Sequence, residues 1–219
     1  MPNKQALWLC LSAISLLTGC AQHVSLLGET AKLAVLGQPD VQLSTQKIEQ
    51  LPYASAYLKV GKAPQAFVVL AASEQGQQKW VTADKNMIVT DHGRIVKTIG
   101  FGEDIAYVDN LKSDPLTLGL LNPATPKQWQ TKVTWAEVFR AGYRVASHFE
   151  YKGIEPETIL ERQRSLARFD ETVTVSSLNQ SYTNSYWLDP KNGMVIKSQQ
   201  YMGPGLALVQ FTILKHYAQ

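Results

Sequence analysis

The clearest structural signal in the sequence is a β-hairpin at residues 87–99. Two runs rich in Ile, Val and Thr flank the turn sequence at residues 91–94. Gly93 in this turn tolerates the positive φ that a tight connection between antiparallel strands requires. Residues 186–198 repeat the pattern around Asn192-Gly193. The chain is therefore expected to pair consecutive strands in antiparallel fashion.

Similar short runs recur after residue 53. We predict further strands at residues 65–72, 78–82, 129–139, 143–151, 158–169, 172–175, 182–188 and 206–217. Residues 155–168 contain good helix formers, but their alternation favours a strand. The proline-containing residues 111–126 are expected to form a long loop. About ten strands with short turns favour an all-β domain with an antiparallel, meandering sheet.

Composition limits the partners and the redox chemistry. Of 219 residues, 45% are apolar and 18% charged, which suits a packed globular domain. The net charge is only +3, and no basic run accompanies it, so we do not expect nucleic acid as a partner. Both cysteines, Cys10 and Cys20, lie within the first twenty residues. A disulfide framework or a cysteine metal site is thereby excluded from residues 21–219.

The N-terminus has the layout of a secretory signal. Lys4 precedes an apolar run at residues 6–17, which is followed by small residues. This run is too short to cross a bilayer core of about 30 Å, which takes about twenty helical residues. The alternative interpretation is an ordinary buried helix. We favour the signal, because a basic start and a small-residue stop accompany the right length.

The end of this signal resembles a bacterial lipobox, Leu17-Thr18-Gly19-Cys20. The resemblance implies a diacylglycerol thioether on Cys20, cleavage before it, and N-acylation of the new terminus. Two or three acyl chains make an effectively permanent anchor, where one would not. The next residue is Ala21 rather than Asp, which by the bacterial sorting pattern implies the outer membrane. Cys20, as the site of membrane attachment, is the functional residue that the sequence predicts best.

Three segments follow from this interpretation: a lipoprotein signal peptide at 1–19, a lipidated tether at 20–43 and a β domain at 44–219. The tether contains an apolar-rich segment that is expected to form a short helix ended by Gly37 and Pro39. This helix either lies on the membrane beside the acyl chains or packs on the domain. Ser44 offers an N-cap hydroxyl for a second short helix before Pro52.

Metal and cofactor chemistry has little support in the sequence. The four histidines are scattered and lack the i, i+4 pairing of a helix-borne zinc site: His23, His92, His148 and His216. No nucleophile elbow, Walker A or dinucleotide-binding glycine motif is present. We therefore expect neither a metal nor a cofactor, and no catalytic residue.

Paired carboxylates are the remaining route to catalysis, since two acids that flank a glycosidic bond can hydrolyse it. The candidates by composition are Glu103, Asp104, Asp109, Asp114, Asp170 and Glu171. Adjacent residues on a strand point to opposite faces, so the neighbouring pairs are poorly placed. Asp114-Pro115 is typical of a turn. A glycan-modifying enzyme remains an alternative, with Asp109 and Asp114 as its best candidates.

Aromatic residues leave a further alternative open. Four tryptophans remain after signal removal: Trp80, Trp129, Trp135 and Trp187. They either fill the core or present stacking faces to a glycan or lipid in a groove of the sheet.

Several blocks of the sequence resemble the YjbF/GfcB type of lipoprotein, encoded in exopolysaccharide and group 4 capsule operons of Gram-negative bacteria. The resemblance is carried by residues 51–55, 76–82, 92–98, 109–111, 114–116 and 186–189, with Gly193, Ser198, Gln200 and Tyr201. It covers nearly the whole mature chain, and residues 21–43 and 117–170 match least. It implies a mostly β fold, an open meandering sheet folded on itself like a half-barrel, and it brings no catalytic residue.

The resemblance implies a role in making or exporting surface polysaccharide. We therefore expect a non-enzymatic outer-membrane lipoprotein whose domain faces the periplasm and assists capsule or exopolysaccharide export. Expected partners are the membrane and, through the family role, the polysaccharide or other components of the secretion machinery. The alternative is a carrier or chaperone that binds an acyl chain, a lipid or a lipid-linked glycan within the curved sheet.

Overall fold

The computed structural model describes residues 39–136 and 140–217, and these form a twelve-stranded antiparallel sheet with two short helices. Helix α1 spans Thr45–Gln50 and helix α2 spans Pro115–Leu118. The strands are β1 Ser55–Val60, β2 Ala66–Glu74, β3 Gln77–Val81, β4 Met87–Asp91, β5 Arg94–Ile99, β6 Ile105–Val108, β7 Gln128–Trp135, β8 Arg140–Ile159, β9 Arg162–Val175, β10 Gln180–Leu188, β11 Val195–Tyr201 and β12 Leu208–Lys215.

The sheet curls into a nearly closed barrel. Strand order is β5-β4-β3-β2-β1-β12-β11-β10-β9-β8-β7-β6, so every pair of consecutive strands is hydrogen-bonded except β5 and β6, and β1 also pairs with β12. The ends of the sheet, β5 and β6, meet through side chains. Thr98 donates its hydroxyl to Asp104 Oδ1 at 2.7 Å and accepts the backbone N–H of Ile105 at 2.9 Å. The predicted all-β meander folded on itself is confirmed, with more complete closure than a half-barrel.

Alternation along the strands divides the barrel into two faces. Strand β7 is typical, since every second residue from Trp129 to Trp135 is buried and the others are mostly exposed. The inward side chains form the main core, which includes Trp80, Trp129, Trp135 and Phe211. All four tryptophans are at least 96% buried, so the packing interpretation of these residues is correct.

The helix predicted after Ser44 is confirmed as α1. The Ser44 hydroxyl accepts the backbone N–H of Lys47 at 3.3 Å, which caps the helix. Ile48 is buried with Trp187, Ile196 and Leu214 in a cluster separate from the main core. The helix expected within residues 21–36 lies outside the described residues.

Several predicted boundaries were wrong. Residues 111–126 contain a 3₁₀ turn and α2 rather than only a loop. Residues 158–175, predicted as two pieces, belong to the end of β8, a turn at Leu160-Glu161 and a continuous β9. Both turn residues have positive φ without being Gly or Asn, so no turn signal marks this position.

Gly93 is the tightest point of the β4–β5 turn. Its φ is +91°, and a Cβ built on it would lie 2.5 Å from Cβ of Val195 on β11. We expect Gly93→Ala to lower the free energy of unfolding by about 3 kcal/mol, because left-handed strain and overpacking add.

Gly193→Ala is the matched control for this prediction. Gly193 also has positive φ, 74°, but its nearest neighbour would lie at 3.7 Å, an ordinary contact. We expect a loss of about 1 kcal/mol from strain alone. Denaturant unfolding followed by tryptophan fluorescence measures both, and equal losses would contradict the close packing of Gly93 on β11.

Candidate functional site

A triad of buried charges lies among the inward-facing residues of the barrel. Arg94 at the start of β5 donates to Asp114 through Nε and through Nη2, the latter at 3.1 Å. The same guanidinium donates to Glu171 on β9 from Nη1 at 3.1 Å and from Nη2 at 2.9 Å. Both carboxylate side chains are fully buried, and that of Arg94 is 8% exposed. One arginine therefore neutralises one of two buried negative charges and hydrogen-bonds to both.

Polar side chains on β10 and β11 complete the environment of Glu171. Its Oε2 accepts from Asn184 Nδ2 at 3.0 Å and from the Tyr186 hydroxyl at 2.9 Å. Tyr186 also contacts Gln200 Oε1 at 3.2 Å, and Gln200 Nε2 donates to the Gly93 carbonyl at 2.8 Å. The network thus links the β4–β5 turn to strands on the other side of the barrel.

Burial and charge oppose each other in the triad. Burial raises the pKa of Glu171, but the attraction of Arg94 and the hydrogen bonds that Glu171 accepts lower it below its usual value. Burial lowers the pKa of Arg94, but Asp114 and Glu171 raise it well above its usual range. Burial, supplemented by the charge of Glu171, raises the pKa of Tyr186. At neutral pH Glu171 is therefore ionised, Arg94 is protonated and Tyr186 is neutral.

The triad joins three elements that are distant in sequence. Asp114 caps helix α2, since its Oδ1 accepts the backbone N–H of Leu116 at 3.0 Å. Leu116 and Leu120 then pack on Phe149, Phe169 and Tyr186, which belong to strands β8 to β10. Arg94 therefore fixes the segment at residues 111–126, here called the cap segment, between β5 and β9.

The candidate carboxylates are spread over structural roles rather than paired at a cleft. Asp114 and Glu171 are inaccessible behind Arg94. Asp104 binds Thr98 and the N–H groups of Gly100 and Phe101 at the β5–β6 connection. Asp109 accepts the N–H of Asn110, and Asp170 pairs with Arg168 at 2.9 Å. Glu103 is exposed beside Asp104. Asp109 and Asp114 thus lack the shared access that an acid pair needs.

One end of the barrel holds an open cavity of about 620 Å³, here called the mouth pocket. Its walls come from β2, β3 and β4 on one side, from β11 and β12 on the other, and from α2. Trp80 and Phe211, whose rings meet edge to face at 5.3 Å, are among the buried lining residues. Polar lining comes from Ser73, Gln75, Gln78, Thr90, Ser198 and Asn192.

Histidine and tyrosine complete the rim of the mouth pocket. His92 approaches Asp91 Oδ1 at 2.6 Å and Thr117 Oγ1 at 3.5 Å through Nδ1. A Cβ on Gly76 would lie 3.2 Å from the His92 ring, so the β2–β3 turn rests against it. His216 and the 47% exposed Tyr217 lie after β12. His148 is on the exposed face of β8 and does not line the mouth pocket.

The other sequence-based site predictions concern metals and the membrane. Within residues 39–136 and 140–217, no group of three or more His, Cys, Asp or Glu side chains could hold a metal ion. Over the same part of the chain, no helix has the length and apolar character needed to span a bilayer. Cys20, the predicted lipid attachment site, and His23 lie outside the described residues.

Sequence reasoning missed Arg94 and the network around it. A signal was present at Glu171, which occupies an inward position between Phe169 and Val173 in an alternating strand. A charged residue at a core position requires a buried partner, and an arginine that begins a β-branched strand is a candidate. The mouth pocket had no such signal, because its residues come from separate strands.

Comparison with known proteins agrees with this architecture. The family model described as "Group 4 capsule polysaccharide lipoprotein gfcB, YjbF" matches residues 28–214. Two Escherichia coli K12 proteins are similar over 91% of this chain and 93% of their own length. They are "Uncharacterized lipoprotein YjbF", 35% identical, and "Uncharacterized lipoprotein GfcB", 31% identical.

A solved structure shows the same fold. The crystal structure of the hypothetical lipoprotein YmcC from Escherichia coli K12 superposes with a TM-score of 0.74 at 30% identity, over 87% of this chain and 96% of that one. The resemblance drawn from the sequence blocks is therefore confirmed. The chain belongs to the YjbF/GfcB family of group 4 capsule polysaccharide lipoproteins.

Proposed function

We propose that the protein is a non-enzymatic, lipid-anchored component of capsule or exopolysaccharide export. In this proposal Cys20 carries the acyl chains, the anchor lies in the outer membrane, and the β domain faces the periplasm. The main support is membership of a capsule lipoprotein family over residues 28–214. The lipobox and Ala21 support the anchor and its membrane.

The arrangement of the carboxylates supports the non-enzymatic part of the proposal. Catalysis by paired acids needs two carboxyl groups that reach the same substrate bond. Asp114 and Glu171 are instead hydrogen-bonded to Arg94. Asp104 accepts a backbone N–H group in the β5–β6 turn. Their chemistry holds the barrel together.

The structure also bears on the carrier alternative. An acyl chain needs a long apolar channel, whereas large side chains fill most of the described interior. A cavity of about 40 Å³ beside Arg94 and Trp129 has room for little more than a water molecule. The mouth pocket is larger but has many polar lining groups. This favours a short polar ligand over an acyl chain.

Deletion of the gene in a polysaccharide-producing strain tests the proposal. We expect less surface polysaccharide under inducing conditions, and recovery when the wild-type gene is supplied in trans. Unchanged surface polysaccharide in the deletion strain would contradict the proposed function.

A further inference from the structure

The lining of the mouth pocket consists mainly of uncharged side chains. Among the described residues, its lining includes no Lys, Arg, Asp or Glu. Its volume of about 620 Å³ falls within the range of roughly 300–1,000 Å³ that is usual for small-molecule sites. The pocket is therefore large enough for a small ligand, and it presents no Lys, Arg, Asp or Glu side chain to that ligand.

The lining combines two kinds of contact. The rings of Trp80 and Phe211 are buried in the wall, and Tyr217 supplies an exposed ring at the rim. Gln75 is exposed and Gln78 partly exposed, so their amides are open to a ligand. Each amide offers two N–H donors and one carbonyl acceptor. This mixture suits a molecule that carries hydroxyl groups around an apolar ring face.

The imidazole of His216 is a further uncharged hydrogen-bonding group in the lining. Desolvation, supplemented by the nearby Arg164 guanidinium, lowers the pKa of its imidazole, while Asp189 opposes this shift. The ring is therefore neutral at pH 7 and presents one donor and one acceptor.

The lining is less suited to other ligand classes. An anionic ligand would be expected to meet Arg or Lys, which recognise carboxylate and phosphate groups. A cation would be expected to meet carboxylate oxygens. An acyl chain would leave the partly exposed amide of Gln78 facing hydrocarbon, which is costly.

We propose that the mouth pocket binds an uncharged saccharide unit, with sugar hydroxyls hydrogen-bonded to Gln75 and Gln78 and a ring face against Tyr217. The choice of a saccharide over other neutral polyols rests on the proposed function in polysaccharide export. Binding itself rests on the pocket alone.

The test is NMR titration of the full chain, solubilised in detergent micelles. The probes are galactose, N-acetylglucosamine and neutral oligosaccharides from partial hydrolysis of the strain's surface polysaccharide. The Trp80 indole N–H, which donates to Thr90 Oγ1 at 3.1 Å, is a reporter inside the pocket. We expect its signal to shift with saccharide and not with inorganic phosphate, glucuronate or palmitate. No shift with any saccharide, or a shift with palmitate or phosphate instead, would overturn the proposal.

Two variants locate the binding site. Gln78→Leu removes one amide at similar size, and we expect about tenfold weaker binding of the best saccharide. Tyr217→Ala removes the rim aromatic and is expected to weaken binding similarly. Because Tyr217 is exposed, it tests the site even if Gln78→Leu fails to fold. Unchanged affinity in Tyr217→Ala would contradict the assigned contact.

Gln180→Leu is the matched control. Gln180 is exposed at the start of β10, at the opposite end of the barrel from the β10–β11 turn that borders the pocket. We expect unchanged saccharide affinity. If saccharides fail to bind while gene deletion still lowers surface polysaccharide, the pocket proposal alone is wrong. If they bind and deletion has no effect, the proposed function is wrong instead.

Discussion

Replacing Arg94 with methionine is expected to destabilise the barrel by about 3–5 kcal/mol, because it leaves two buried carboxylates without their counter-ion. Asp114 and Glu171 have fully buried side chains, so water cannot replace the guanidinium without opening the structure. The loss would also remove the stacking of Arg94 over Trp129, at 4.4 Å from the ring centroid. Equilibrium denaturation of the full chain at pH 7 measures the effect.

Lowering the pH should change the free energy of unfolding in opposite directions in the wild type and in Arg94→Met. In the wild type, the pKa of Glu171 lies below its usual value of 4.5, so its contribution to stability is lost as pH falls below about 4.5. In Arg94→Met, burial dominates and raises the pKa of Glu171. The folded state then binds its proton at higher pH than the unfolded state, so destabilisation shrinks as pH falls from 7 towards 4.5. If the difference in free energy of unfolding between the two proteins stays constant over this interval, buried charge is not the cause of the destabilisation.

Arg168→Met provides the matched control for the same substitution. Arg168 also bridges two carboxylates, Glu155 at 3.1 Å and Asp170 at 2.9 Å, and lies 5.2 Å from the Trp187 ring centroid. Its side chain is 31% exposed, however, and exposed ion pairs contribute little. We expect a loss of about 1 kcal/mol or less.

A second substitution in the Arg94→Met background tests the assignment to charge. Glu171→Gln removes one stranded carboxylate and keeps an amide that can hydrogen-bond with Tyr186 and Asn184. We expect it to recover part of the lost stability, although the same change alone should destabilise the wild type. If Glu171→Gln costs the same in both backgrounds, the coupling between Arg94 and Glu171 is absent.

The sequence was a good guide to the strands because their signals are local. Gly93 and Asn192-Gly193 mark turns that the structure contains, and the alternation of side chains between the two faces of a strand holds along most of β9. That alternation also separated Asp170 from Glu171 correctly, since the first pairs with Arg168 and the second with Arg94. The Leu160-Glu161 turn was missed because nothing in its residue types announces a left-handed backbone.

The candidate sites were harder to predict because they depend on contacts across the barrel. Arg94 is 77 residues from Glu171 in sequence, and no local pattern records that their strands face each other. Barrel closure brings them together, through pairing of β1 with β12 and the Thr98–Asp104 contact. The mouth pocket depends on the same closure, since its walls come from both halves of the chain. Closure follows from the sum of all strand pairings rather than from any one motif.

Replacing Cys20 with alanine is expected to abolish lipid attachment and to release the protein from the membrane fraction. In the proposed anchor the Cys20 thiol takes up diacylglycerol, and alanine cannot form the thioether. Each buried methylene contributes about 0.8 kcal/mol, so loss of every acyl chain removes an effectively irreversible anchor. Incorporation of labelled palmitate and the distribution between membrane and soluble fractions measure the result.

Cys10→Ala and Ala21→Asp separate the parts of this prediction. Cys10 lies in the apolar run ahead of the predicted cleavage site, so its loss should leave palmitate labelling intact. Ala21→Asp should keep the label but move the protein from the outer to the inner membrane, because Asp at this position is the retention signal of the sorting pattern. Labelled palmitate that persists on Cys20→Ala would contradict the assignment of the anchor. An Ala21→Asp protein that still reaches the outer membrane would contradict only the proposed destination, because the proposed anchor at Cys20 does not depend on the residue that follows it.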